Sequence, residues 1–163
     1  MSQISVIGSG TCAQDSELAA LAQDVGRRLA EAGTVLVCGG LGGVMEAASR
    51  GAAEAGGTVI GIVPSDSIEN ANPHCTHVIA TGIGHARNLA VVASGEAVIA
   101  VGGEWGTLSE IGFARRLGRD VVTLRSWQAR GEGPMAEMPG VRGTETAEEA
   151  VSAALESVSS EPP

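Results

Sequence analysis

One arginine and one glutamate have the chemistry and the sequence context of a phosphate-handling site. Arg87 lies in the segment GHARN (84–88), and Glu110 closes the segment GGEWGTLSE (102–110). A guanidinium can bind a phosphate or a carboxylate through two parallel hydrogen bonds. A glutamate beside the bound ligand can act as a base or stabilise a developing positive charge. Arg87 and Glu110 are therefore the candidate catalytic residues.

Three glycine-rich segments could supply the backbone amides for such a site: GSG (8–10), GGLGG (39–43) and GGEWG (102–106). Each follows a short apolar run and precedes a helical pattern, which predicts that all three lie at one edge of a parallel sheet. Glycine lets the backbone approach a ligand, and a helix start directs N–H groups outward. The plainer alternative is that tight strand-to-helix turns need glycine anyway. The candidate ligand-binding or phosphate-binding residues are Gly8, Ser9, Gly39, Gly40, Gly42, Gly43, Asn88, Gly103, Glu104, Trp105, Gly106 and Thr107.

Thr107 and Glu110 also allow a purely structural interpretation. Their T-x-x-E spacing is that of a capping box, in which each side chain binds the other residue's backbone amide at a helix start. In the functional alternative, Thr107 helps to hold a phosphate and Glu110 points into the site. Arg87 could likewise be a surface arginine paired with an acid.

Charge limits the partners of the chain. The 10 basic residues are all arginine and face 19 acidic residues, so the formal net charge is −9. Without a basic run, nucleic acid and anionic membranes are not expected partners, and any anion must be held locally. Aromatic residues make up only 2% of the chain, which leaves few platforms for stacking on bases.

The cysteines and the N-terminal sequence indicate a cytoplasmic protein. The 3 cysteines are odd in number and widely spaced, which argues against a disulfide framework. We expect neither a signal peptide nor a membrane span. His74, Cys75 and His77 are close in sequence, but no further closely spaced ligand pair accompanies them, so no metal site is predicted.

Apolar runs that alternate with helical patterns predict a single α/β domain, a Rossmann-like doubly wound parallel sheet with helices on both faces. The domain is expected over 1–158, followed by a frayed tail at 159–163. The strands are predicted at 4–8, 34–38, 58–63, 77–81, 96–101 and 120–124. The helices are predicted at 14–32, about 44–55, 84–94 and 107–117, with a last one opened by a capping box at 146–149. Loops are expected at 64–75 and 125–143, and Trp127, Met135 and Met138 in the second loop are interpreted as a lid or a subunit contact.

The segments 39–52, 84–88 and 102–110 resemble the LOG family of Rossmann-like proteins, which are often labelled lysine decarboxylase-like. The resemblance runs from the first strand to about residue 125. The short chain and its Arg-Asn pair look closer to a compact bacterial branch, which also resembles molybdenum cofactor carrier proteins. The cytokinin-activating members of the family are nucleoside 5′-monophosphate phosphoribohydrolases.

The resemblance implies roles for particular residues. The family motif is P-G-G-x-G-T-x-x-E with an upstream Arg-Lys pair. Gly106, Thr107, Glu110 and Arg87 match it, whereas Glu104 stands for the second glycine; Gly102 replaces the proline and Asn88 the lysine. Arg87 and Glu110 would carry catalysis, and Gly103, Gly106 and Thr107 would cradle the 5′-phosphate. No cofactor is predicted: the nucleotide-cofactor fingerprint is not met, and pyridoxal phosphate would need a lysine, which the chain lacks.

Two functions are compatible with these residues and this resemblance. The first is hydrolysis of the N-glycosidic bond of a nucleoside 5′-monophosphate, which releases the base and ribose 5-phosphate. The second is non-catalytic binding or carriage of a nucleotide or of the molybdenum cofactor. The Arg87–Glu110 pair favours the enzyme, whereas Glu104, Asn88 and the compact length favour the carrier. On the sequence alone the enzyme is the preferred interpretation, and the resemblance implies a homodimer.

Overall fold

The computed structural model describes residues 1–127 and 139–160. Within these residues the chain forms seven strands and five α-helices, with 3₁₀ turns at Ile68–Asn70 and Gly84–Ala86. The strands are β1 (Gln3–Gly8), β2 (Val35–Cys38), β3 (Val59–Val63), β4 (His77–Ala80), β5 (Ala97–Val101), β6 (Asp120–Leu124) and β7 (Val141–Thr144). The helices are α1 (Glu17–Glu31), α2 (Val44–Glu54), α3 (Arg87–Ser94), α4 (Trp105–Arg116) and α5 (Ala147–Ser160).

All neighbouring strands are parallel, in the order β4-β3-β2-β1-β5-β6-β7. The chain moves outward from β1 to β4 and then returns to place β5 on the other side of β1. The register of this central pair runs from Ile4 opposite Ala97 to Gly8 opposite Val101. The strand order therefore reverses between β1 and β5, where doubly wound sheets bind their ligands.

Helices cover both faces of the sheet, as the sequence predicts. One face packs against α1, α2 and α5 around a core that includes Ile4, Leu36 and Ile99. The other face packs against α3 and α4 around Val37 and Val98. Because both faces are covered, the central strands are buried along their length, which explains their nearly continuous apolar sequences.

The sequence prediction misses the seventh strand. The prediction that 125–143 is a loop is wrong at its end. There, Val141–Thr144 pairs with β6, with Val141 opposite Val121 and Thr144 opposite Leu124. Among the described strands this edge strand pairs with β6 alone, and it is half-buried or exposed throughout, so it lacks the apolar run that marks the inner strands. Trp127 is described, whereas Met135 and Met138 lie outside the described residues.

The start of the last helix is predicted correctly from its capping box. At α5 the predicted capping box is confirmed: the Thr146 amide donates to Glu149 Oε2 at 3.2 Å, and the Glu149 amide donates to Thr146 Oγ1 at 3.2 Å. Helix α5 continues to Ser160, two residues into the predicted tail. In the described part of the chain, no helix combines the length and apolar character needed to cross a membrane.

Candidate functional site

A cleft of about 190 Å³ opens where the strand order reverses. Segments that follow β1, β2 and β5 line it, together with the first residues of α3. Nine predicted residues lie in its lining: Gly8, Ser9, Gly39, Arg87, Asn88, Glu104, Gly106, Thr107 and Glu110. The structure therefore brings both candidate catalytic residues and representatives of all three glycine segments to one place.

Arg87 begins α3 and is buried, with 6% of its surface exposed. Its Nη1 donates a hydrogen bond to Asn88 Oδ1, and its Nε has no partner among the described residues. No described carboxylate forms a salt bridge with it, so the alternative of a paired surface arginine is wrong. A buried cation without an ion-pair partner can bind an anion strongly.

Glu110 lies one turn inside α4 and is buried, with 7% of its surface exposed. Burial raises the pKa of its carboxyl group to about 7, and the nearby positive charge of Arg87 lowers it by less. Near neutral pH the group is therefore divided between its protonated and ionised forms. A carboxyl group with this property can donate or accept a proton at physiological pH.

The capping-box interpretation of Thr107 and Glu110 is wrong. Helix α4 begins at Trp105, its N-cap residue is Glu104, and no side chain caps it. Thr107 and Glu110 are therefore inside the helix, both buried on the side that faces the cleft. The first amides of a helix have no intrahelical acceptor, so Gly106 and Thr107 bring backbone donors to the cleft.

Glu104 differs from Glu110 because its carboxylate lies at the exposed rim of the cleft. Its Oε1 accepts hydrogen bonds from Ser9 Oγ at 2.8 Å and from Thr11 Oγ1 at 2.7 Å. These hydrogen bonds, first that from Thr11 and then that from Ser9, lower the pKa of Glu104. Glu104 is thus an anion held by the β1–α1 segment.

The segment after β2 is held against the segment after β1 by close backbone packing. The Val44 amide at the start of α2 donates to the Ser9 carbonyl at 2.9 Å. Gly43 has a φ of 64°, and a Cβ there would lie 2.3 Å from the Ser9 carbonyl oxygen, so the position requires glycine. At Gly39 a Cβ would lie 2.7 Å from Arg87 Nη2, so glycine lets the guanidinium lie over this loop.

The remaining predicted residues shape the cleft without lining it. Gly40 donates its amide to Cys38 Sγ at 3.4 Å, and Gly42 and Gly43 lie against the backbone after β1. Gly103 packs against Trp127, and Trp105 stands at the rim with 77% of its surface exposed.

Both tryptophans of the chain meet beside Glu104. The Trp105 and Trp127 ring centroids are 5.4 Å apart, and the rings are tilted by 38°. Trp127 is held in place because its Nε1 donates to the Glu104 carbonyl oxygen at 3.2 Å. The sequence suggests a lid or a subunit contact for Trp127, and its described contacts are with Gly103, Glu104 and Trp105.

A pair of thiols lies beneath the cleft. A hydrogen bond with the Cys75 thiol is the main reason that the pKa of Cys38 is lowered. The same contact raises the pKa of Cys75. The charge of Arg87 adds to the lowering at Cys38. His74 and His77 flank Cys75, but the described residues contain no group of three side chains placed to hold a metal ion.

Sequence reasoning missed several lining residues. Gly10, Leu41 and His85 lie within segments that the sequence singles out, so their proximity to predicted residues could have identified them. Met45 lines the cleft from the first turn of α2. Thr11, which binds Glu104, could not be found, because the two residues are far apart in sequence and only the paired strands bring them together.

Comparison with known proteins agrees with this architecture. A solved structure of the molybdenum cofactor binding protein from Rippkaea orientalis is 34% identical, with a TM-score of 0.84, over 95% of this chain and 96% of that one. The molybdenum cofactor carrier protein from Chlamydomonas reinhardtii is 28% identical, with a TM-score of 0.82, over 97% and 98% of the two chains. An uncharacterized protein from Archaeoglobus fulgidus is 44% identical over 155 residues, which are 95% of each chain.

The strand order and the cleft define a Rossmann-like protein with a candidate ligand site at the switch point of its sheet. Residues 1–154 match the family described as the SLOG cluster4 family, and the chain belongs to that family. Its similarity to molybdenum cofactor carrier proteins agrees with part of the predicted resemblance. Membership of the LOG family itself stays a prediction.

Proposed function

We propose that this protein binds and carries a small phosphate-bearing ligand of the molybdenum cofactor or nucleotide class. The observation that carries the proposal is the buried Arg87, whose Nε has no described partner and which lines the cleft at the switch point. The protein has a net charge of −9, so binding of a phosphate requires a local positive group of this kind. Backbone amides at the start of α4 would supply further donors.

The similar proteins support carriage more than chemistry. Two of them are described as binding or carrying the molybdenum cofactor, and both align with nearly the whole chain. In this proposal Arg87 binds the phosphate of the cargo. Glu110 beside it is partly protonated near pH 7, so it repels the phosphate less than an ionised carboxylate would.

A second candidate function is hydrolysis of a nucleoside 5′-monophosphate. The raised pKa of Glu110 favours it, since a general base works best when its pKa lies near the working pH. Ionised Glu110 would take a proton from water while the water oxygen bonds to C1′ of the ribose. The bond between C1′ and the base nitrogen would break, and the base would leave with the proton that Glu110 took from the water, giving ribose 5-phosphate and the ionised carboxylate again.

Parallel measurements of binding and base release test the proposal. AMP and GMP are titrated calorimetrically, and the same mixtures are analysed chromatographically for adenine and guanine. Carriage predicts binding without release, whereas hydrolysis predicts release that Glu110→Gln abolishes. Absence of binding to either nucleotide, together with absence of binding to a phosphorylated pterin, would contradict the proposed function.

Replacement of Arg87 provides the specific control. Hydrogen bonds to charged groups contribute about 1.5–3 kcal/mol, so Arg87→Ala is expected to weaken binding about 10- to 100-fold. Arg116→Ala removes the same charge from the exposed end of α4 and should leave the affinity nearly unchanged. Equal losses in the two variants would show that only overall charge matters.

A further inference from the structure

The cleft has two chemically different ends. Arg87 and the segment after β2 form a buried, positively charged end. Glu104 lines an exposed, acidic end, and the exposed ring of Trp105 lies next to it outside the lining. A phosphate can bind favourably only at the positively charged end, so we expect another part of the ligand to bind at the acidic end.

The carboxylate of Glu104 is positioned to receive hydrogen bonds from a ligand. Ser9 and Thr11 both donate to Oε1, and among the described residues no hydrogen bond reaches Oε2. These two hydroxyl groups fix the carboxylate at the rim while leaving its second oxygen available as an acceptor. An ionised carboxylate accepts hydrogen bonds and donates none, so the matching ligand group must carry N–H or O–H donors.

The tryptophans indicate that this ligand group is flat. The chain has only 3 aromatic residues, and both of its tryptophans touch each other next to Glu104. Trp127 is anchored by its hydrogen bond to the Glu104 backbone, and Trp105 is largely exposed. Planar heterocycles stack on such surfaces, whereas the hydroxyl groups of a ribose do not need them.

We propose that Glu104 and Trp105 form a specificity subsite for a heterocycle with a 2-amino-4-oxopyrimidine edge, the edge shared by guanine and pterins. Its ring N–H and its exocyclic amino group are adjacent donors that would pair with the Glu104 carboxylate. Trp105 would stack on the ring. This inference rests on the proposed function, because it assigns the end of the ligand opposite the phosphate.

Affinities for three phosphorylated probes test the subsite. GMP and neopterin monophosphate carry the edge, whereas AMP carries a phosphate and a purine but lacks both donors in this arrangement. The expected result is that wild-type protein binds GMP, the phosphopterin, or both about tenfold or more tightly than AMP, since a missing partner leaves polar groups unpaired. If GMP binds more tightly than the phosphopterin, the heterocycle is guanine, and the reverse order indicates a pterin.

Glu104→Gln is a matched variant. Its amide oxygen can still accept from Ser9 and Thr11, while its NH₂ group faces the ligand in place of Oε2. The preference over AMP should therefore fall to about onefold, even if the loss of negative charge strengthens phosphate binding for all probes. Glu145→Gln removes an exposed carboxylate after β7 and should preserve the preference. Trp105→Ala should lower the affinity for all three probes about tenfold.

The outcomes separate the two proposals. Equal binding of all three probes, lost on Arg87→Ala, would overturn the subsite and leave the proposed function intact. A preference that survives Glu104→Gln would also overturn the subsite. No binding of any probe to the wild-type protein would overturn both.

Discussion

Two glutamates six positions apart, Glu104 and Glu110, behave in opposite ways. Glu110 is buried beside Arg87, and burial raises its pKa to about 7. Glu104 is exposed at the rim, where two hydroxyl groups lower its pKa. Glu104 is the N-cap residue of α4 and Glu110 lies within the same helix, yet the position along the helix does not decide their protonation. Burial and the local hydrogen-bond donors decide it. As a result, the carboxyl group of Glu110 is partly protonated near pH 7, whereas Glu104 is ionised.

The largest expected effect on stability belongs to Glu110. Its folded-state pKa of about 7 lies above its ordinary value of 4.5, so the folded protein holds this proton more tightly than the unfolded chain. Stability should therefore fall as pH rises through that interval. Each pKa unit corresponds to about 1.4 kcal/mol, so the free energy of unfolding should have fallen by about 3 kcal/mol once the pH has passed 7.

Urea unfolding of the wild type and Glu110→Gln between pH 4 and 8.5 measures this effect. The free energy of unfolding of the wild type should decline relative to the variant across the interval and then level off. Glu145→Gln controls for the loss of one carboxylate. Parallel curves for the wild type and Glu110→Gln would show that Glu110 is not held in a proton-binding environment.

For Glu104 the expected effect is smaller and has the opposite sign. Its folded-state pKa is lowered, so it contributes stability that is present above its unfolded pKa and disappears as pH falls through the folded value. Glu104→Gln should therefore remove a small stabilisation at neutral pH and none in strong acid. The same urea series measures it, and a gain in stability at neutral pH would contradict the role of Ser9 and Thr11 as donors.

Much of the fold could be predicted from local patterns in the sequence. The buried strands have β-branched apolar runs because both sheet faces are covered, and the Thr146–Glu149 capping box marks the start of α5. β7 could not be found in this way, because an edge strand that is half-exposed carries no such run.

The candidate site shows a similar division. Arg87, Glu110 and the glycine segments were identifiable because strand ends in a parallel sheet meet at one edge. The protonation of Glu110 could not be predicted, since the T-x-x-E spacing is equally suited to a helix cap and to a buried carboxyl group. The anchoring of Glu104 by Thr11 depends on the pairing of β1 with β5, which no local pattern encodes.

A crystal structure of the protein with bound GMP tests the central claim most directly. We predict the phosphate within hydrogen-bond distance of the Arg87 guanidinium, near the amides of Gly106 and Thr107, with the base at the Glu104 end of the cleft. A phosphate bound outside this cleft, or an Arg87 that contacts only protein groups while the nucleotide is bound, would contradict the account.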